Sequence, residues 1–160
     1  MKTALKTAMT ASISKVLETM FYMSLEFNDG DTLEAGVIKR AKKTIACRID
    51  FEGKFSGYFI LFIPEKLLFD MTESFMGLDR NDITDEHSSG IIKETINMLA
   101  GSTLSGFDDK IVFQLSIPEI VDTGKAAESR KGQGEEEIVV VTETIEGHLA
   151  LKAVIESGYA

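Results

Sequence analysis

The chain has one cysteine, no tryptophan and two prolines in 160 residues. A single thiol, Cys47, excludes an internal disulfide. Its small and apolar neighbours read as the setting of a buried, inert thiol. Metal ligands are equally sparse: His87 and His148 are the only histidines and lie far apart, so the Cys/His sets of structural zinc sites are missing. Basic charge is in short supply, with 17 Lys+Arg against 26 Asp+Glu and a net charge of −9. A phosphate backbone repels such a chain, which argues against nucleic acid as a partner. The densest basic stretch, Lys39, Arg40, Lys42 and Lys43, is short and precedes an alternating pattern, so it reads as a charged strand edge or turn. No run reaches the ~18 apolar residues of a membrane span, and no signal-peptide pattern is visible. The expectation is a cytoplasmic protein with no membrane insertion.

What is present is an ordinary globular composition, 44% apolar and 27% charged, in a length that suits one domain with its own core. Residues 12–26 read as an amphipathic helix, with Ile13, Val16, Leu17, Met20, Phe21 and Ser24 at helical spacing. Asn28-Asp29-Gly30-Asp31 has turn chemistry, and 35–40 is a weak strand candidate. In 44–52, Ile45, Cys47, Ile49 and Phe51 alternate with Ala46, Arg48, Asp50 and Glu52, as in a strand with one face on a core. Glu52-Gly53-Lys54 reads as a hairpin turn, and 55–63 as an almost wholly apolar return strand covered on both faces. Pro64 suits the first position of a helix carrying Leu67, Leu68, Met71, Phe75 and Met76, and Gly77 suits its exit. A long helix follows over about 85–104, then a strand candidate at 111–121 broken by Pro118. Residues 122–137, rich in Gly, Glu, Lys and Ser, read as a mobile loop. A closing hairpin spans 138–145 and 148–156.

The order helix, strand, hairpin occurs twice, at about 10–63 and 85–157. A slide of 76 residues sets Glu18-Thr19-Met20-Phe21 on Glu94-Thr95-Ile96-Asn97, and a slide of 94 sets 45–53 on 139–147. Hairpins require antiparallel pairing. The expected fold class is therefore α+β, pseudo-duplicated, with long helices packed on a mostly antiparallel sheet. The strands at 54–63 and 148–156 are candidate sheet edges for pairing with a second copy.

The long helix holds the residues that point to chemistry. His87, Gly90, Glu94, Asn97 and Gly101 fall on one stripe at 100° per residue. None is large and apolar, so the stripe faces away from the core. Two glycines inside a helix each cost about 1 kcal/mol relative to alanine, which suggests close approach by another molecule.

The segment 92–101, Ile-Lys-Glu-Thr-Ile-Asn-Met-Leu-Ala-Gly, resembles the signature helix of the chemotaxis phosphatase family that includes CheC, CheX and FliY. The family pattern is a Glu, two residues, an Asn and, further on, a proline; here Glu94, Asn97 and Pro118 match. Gly90 stands where that pattern often has Asp or Ser. Residues 16–21 are similar to the first helix of CheX-type members, and one signature helix rather than two makes the chain more similar to CheX than to CheC. The resemblance implies a CheC-like fold and hydrolysis of the aspartyl phosphate on a phosphorylated CheY-like receiver. Asn97 would position the attacking water, and Glu94 would anchor to the receiver's active-site lysine. His87, Gly90 and Gly101 are expected to contact the partner. It further implies no cofactor of the chain's own, with Mg²⁺ supplied by the receiver, and a homodimer. The alternative is a non-catalytic module on the same fold that docks a receiver or a flagellar-motor component. Phe21 occupies the place of Asn97 on the first helix and cannot orient water, so no second site is expected.

Overall fold

The computed structural model describes residues 1–27, 30, 32–129 and 134–156. Among these residues, five α-helices, α1 (Lys2–Phe21), α2 (Leu33–Gly36), α3 (Glu65–Met76), α4 (Asp85–Phe107) and α5 (Thr123–Ala126), surround one sheet. Its strands are β1 (Leu25–Phe27), β2 (Thr44–Glu52), β3 (Gly57–Pro64), β4 (Gln114–Leu115), β5 (Glu119–Val121), β6 (Glu136–Thr144) and β7 (Gly147–Ile155). They run in the order β1-β6-β7-β3-β2-β4, with β5 also on β2. Every pairing is antiparallel. The α+β architecture therefore matches the sequence reading.

The unbroken apolar run of β3 explains its central place. Phe59, Leu61 and Ile63 join the core under α1, α3 and α4, while Tyr58, Ile60 and Phe62 point into a second core on the other face. Leu33 and Val37 around α2, and Ala126 of α5, close that second core. Each fully buried large side chain here contributes roughly 2 kcal/mol. A charged group also takes part. Lys152 of β7 is buried, and its ammonium donates to the carbonyls of Ala126 (3.0 Å) and Glu128 (2.7 Å). Glu137 lies 3.7 Å from it. These partners offset the desolvation of the charge and tie the end of α5 to the sheet.

Several expectations need correction. The first helix begins at Lys2 and ends at Phe21, where Tyr22 turns left-handed at φ 54°; Ser24 lies beyond it and is exposed. Residues 35–40 are not a strand but the end of α2 followed by a 3-10 turn over Ile38–Arg40. The hydroxyl of Thr32 caps α2 by accepting from the Ala35 amide (3.1 Å). The β2–β3 connection spans 53–56, with Phe55 buried inside it. Pro64 is the cap of α3 rather than its first residue, and Gly77 ends that helix at φ 66°. Within 122–137, Asp122 caps the short α5 and β6 already begins at Glu136. Residues 130–133, like Asn28, Asp29 and Asp31 of the expected turn, lie outside the described residues. The strands at 54–63 and 148–156 are not sheet edges, since β3 and β7 pair with each other near the middle of the sheet. The edges are β1 on one side and β4 with β5 on the other. Pro118 interrupts the second edge between β4 and β5, as its missing amide requires.

Candidate functional site

The start of α4 is fixed by a reciprocal cap. The Thr84 hydroxyl accepts from the His87 amide (3.2 Å), and His87 Nδ1 accepts from the Thr84 amide (3.1 Å). His87 therefore folds back onto its own helix end, and its ring is committed to holding the first turn. From there Ile91, Ile92, Thr95, Ile96, Leu99, Ala100, Thr103 and Leu104 bury one side of the helix. The Thr95 hydroxyl donates to the Ile91 carbonyl (2.7 Å), which lets a polar side chain sit in that core.

With this face committed, Glu94 and Asn97 turn to solvent. Three residues apart, they stand side by side on the helix surface. Among the described residues neither has a side-chain hydrogen bond or ion pair. Gly90 is exposed and Gly101 half-buried on the same stripe. A Cβ added at either glycine meets no atom within 4 Å. The contrast within the chain is sharp. A Cβ at Gly57 would lie 2.1 Å from the Val154 carbonyl oxygen, and one at Gly53 2.7 Å from the Phe113 ring. Internal packing requires Gly53 and Gly57 to be glycine, and it makes no such demand at Gly90 or Gly101. Their helix cost of about 1 kcal/mol each is offset by nothing inside the fold.

The two flanks of the stripe differ. On one side Gly101 lines a groove with Ala4, Ala8 and Ala11 of α1. There the two helices run antiparallel, with the Ser12 hydroxyl donating to the Leu99 carbonyl (3.4 Å). On the other side α4 lies over β2. Burial pushes the Cys47 thiol up to about 11, and Lys93 pulls it partly back. A thiol so raised stays protonated at neutral pH and is no nucleophile. Among the described residues no group of three or more His, Cys, Asp or Glu could hold a metal ion.

Sequence reasoning placed Glu94, Asn97 and Gly90 together on an open face, and the structure brings them together. It places Gly101 at the rim of the interhelical groove and His87 in the cap. Pro118 lies in the β4–β5 link at the sheet edge on the side of β2. What the sequence reading missed is how apolar and open that edge is: Val112 and Ile117 are 84% and 88% exposed. A short apolar run marks a strand but does not say which strand ends the sheet. On α1, Phe21 is buried and its ring packs 5.7 Å from that of Phe75, so no amide stands three residues after Glu18.

Chemically, the α4 face offers one anion and one amide, side by side and free to move into a partner. The amide both donates and accepts, which suits holding a water, and it does not ionise near neutral pH. A family model described as chemotaxis phosphatase CheX matches residues 45–143. Solved structures share the fold at low identity. A CheC-like superfamily protein from Shewanella sp. PV-4 is 21% identical, with 98% of this chain and 100% of that chain covered at a TM-score of 0.72. Chemotaxis protein CheX from Vibrio vulnificus is 19% identical, with 95% and 96% covered and a TM-score of 0.72. A chain of the CheX–CheY–BeF3–Mg²⁺ complex from Borrelia burgdorferi is 15% identical, with 94% and 97% covered and a TM-score of 0.71. No curated protein matches the chain in sequence. The family match spans more than half of the chain, and on it the chain belongs to the chemotaxis phosphatase CheX family.

Proposed function

We propose that the chain hydrolyses the aspartyl phosphate of a CheY-like receiver, with Asn97 and Glu94 as the residues that enter the receiver's site. The observation that carries this reading is the exposed, unengaged Glu94–Asn97 pair on a helix face flanked by glycines that internal packing does not need. The family supports it, and so does a structural neighbour solved with CheY and BeF3.

The chemistry asked of this chain is small. An aspartyl phosphate is an activated acyl phosphate that water already attacks. The water oxygen bonds to phosphorus, the phosphorus–carboxylate bond breaks, and inorganic phosphate leaves a free aspartate. Positioning and electrostatics supply the rate in such a step. The Asn97 amide accepts from and donates to the water, setting it in line with the leaving oxygen. Glu94 pairs with a cation in the receiver's pocket, because a carboxylate entering such a pocket needs a compensating charge. Mg²⁺ is assigned to the receiver. Gly90 and Gly101 let the helix backbone come close enough for both side chains to reach.

The deciding experiment follows phosphate loss from candidate phosphorylated receivers with the parent chain, Asn97→Ala and Glu94→Ala. The parent is expected to accelerate the loss and both variants to lose that effect. Equal rates for all three would end the assignment. Gly90, in place of the family's common Asp or Ser, favours a second reading, a docking module without catalysis. That reading expects the phospho-receiver to be retained with its decay unchanged. The proposal includes a cytoplasmic homodimer whose copies meet at an open sheet edge. Sedimentation of the parent chain as a monomer at all accessible concentrations would remove the dimer. No described helix is long and apolar enough to cross a membrane.

A further inference from the structure

The densest basic stretch of the sequence has no part in the reaction above. Arg40, Lys42 and Lys43 line a groove of about 650 Å³. Lys66 from the first turn of α3 and His148 near the start of β7 line it from two other stretches of the chain. Four cations and a histidine thus converge on one concavity of a chain with a net charge of −9.

Two carboxylates share the groove. Glu65 holds Lys43 at 3.1 Å. Glu146 interacts with Asp70, which raises its carboxyl, and with Lys66, whose charge pulls it back down. His148 Nε2 lies 3.7 Å from Glu143. Among the described residues, Arg40 and Lys42 have no side-chain hydrogen bond or ion pair, while Lys66 acts on Glu146. Charges of one sign that line one groove repel, and an incoming anion relieves that repulsion. The first turn of α3 carries no side-chain cap and adds to the positive side. Arg with several Lys is the donor set suited to phosphate oxygens, the guanidinium through paired bonds and the ammonium groups as point charges. With four cations against two carboxylates, a ligand of at least two negative charges balances the groove.

We propose that this groove binds a small ligand carrying two or more phosphate groups. It shares no residue with the Glu94–Asn97 face, so the two readings stand or fall separately.

Titration calorimetry of the full chain at an ionic strength of about 50 mM, where screening is weak, tests it with inorganic tripolyphosphate, pyrophosphate, orthophosphate and ATP. Tripolyphosphate is expected to bind, with affinity falling as the phosphate chain shortens. The double variant Arg40→Gln/Lys66→Gln should weaken it at least tenfold, which is about 1.4 kcal/mol. Glu65→Gln should strengthen it, and Lys39→Gln, from the same stretch but outside the groove, should leave it unchanged. ATP binding more tightly than tripolyphosphate would identify a nucleotide ligand; equal binding would identify a bare polyphosphate. No heat up to millimolar tripolyphosphate, or an affinity that the double variant does not move, would overturn the proposal.

Discussion

Two helices carry Glu-Thr at matching positions and put it to opposite uses. Glu18-Thr19-Met20-Phe21 ends α1, and Glu94-Thr95-Ile96-Asn97 lies in the middle of α4. On α4 the outer two residues face solvent and the inner two are buried. On α1 the order is displaced: Glu18 and Thr19 are exposed, Met20 is half-buried and Phe21 is inside. The physical difference is the helix end. Tyr22 takes a left-handed conformation directly after Phe21, its amide donates to the Leu17 carbonyl, and the chain leaves for β1. Phe21 is thereby turned against Phe75. Asn97 has ten more helical residues after it, to Phe107, and among them Leu99, Ala100, Thr103 and Leu104 are buried, so the outer stripe remains free. A shared Glu-Thr pair therefore does not make a shared site; the site exists where the helix continues.

The largest expected effect tests that difference from the α1 side. Copying the α4 letter with Phe21→Asn should not create a second active face. It removes a buried ring and puts an amide in its place, at a cost of about 4 kcal/mol. Denaturant unfolding measures the loss, and receiver dephosphorylation per folded molecule should be unchanged. A rise in that activity would mean that the four residues alone suffice. Next in size is the converse change. Asn97→Ala on α4 should leave unfolding within about 0.5 kcal/mol of the parent, as for an exposed site, while lowering the accelerated dephosphorylation about 100-fold, as expected when a positioning group is lost. A stability loss without an activity loss would reverse the roles assigned to the two helices.

Cys47 sharpens the comparison by removing a rival under α4. Its neutral thiol is favoured in the fold, with its pKa raised to about 11. That contribution is complete below the unfolded-state value near 9 and is lost as the pH climbs through the folded value. Unfolding free energy should therefore fall between about pH 9 and 11 by on the order of 2 kcal/mol, and Cys47→Ala should flatten this slope. An alkylating reagent should leave the thiol unmodified at pH 8. Rapid modification there, with loss of dephosphorylation, would shift the chemistry from the helix surface to the strand beneath it.

The readable parts of the molecule were those with a strong local period. The alternation in 44–52, the double-faced apolar run of β3, the closing hairpin and the buried stripe of α4 each state their own environment, and the outward face of Glu94 and Asn97 follows from that stripe. The first turns of α1 were hidden because Ala, Thr and Lys dilute Leu5 and Met9, both of which the fold buries. The four-residue α2 depends on the Thr32 cap and on Leu33 and Val37 reaching the second core, a tertiary fact that no short window holds. Which strands end the sheet is likewise a matter of topology, so the open β4–β5 side could not be read. His87 has the right angle for the outer stripe, but its ring was taken by the helix cap.

The smallest expected effect bears on why α4, and not α1, can be approached. At the matching offset α1 has Ser14 where α4 has Gly90, and nothing within 4 Å opposes a Cβ on that glycine. Gly90→Ala should therefore raise stability by roughly 0.5–1 kcal/mol, through helix propensity and a less flexible unfolded chain. If the glycine serves only the fold, that is all it should do, and a larger residue should behave the same. If it clears room for a partner's backbone, Gly90→Leu should fold as well as Gly90→Ala yet require a higher receiver concentration for half-maximal dephosphorylation, with the saturated rate little changed. Leucine in place of Ser14 should leave the receiver dependence unchanged. Equal receiver dependence for the Ala and Leu variants would leave the glycine without a docking role, and the distinction between the helices would then rest on Glu94 and Asn97 alone.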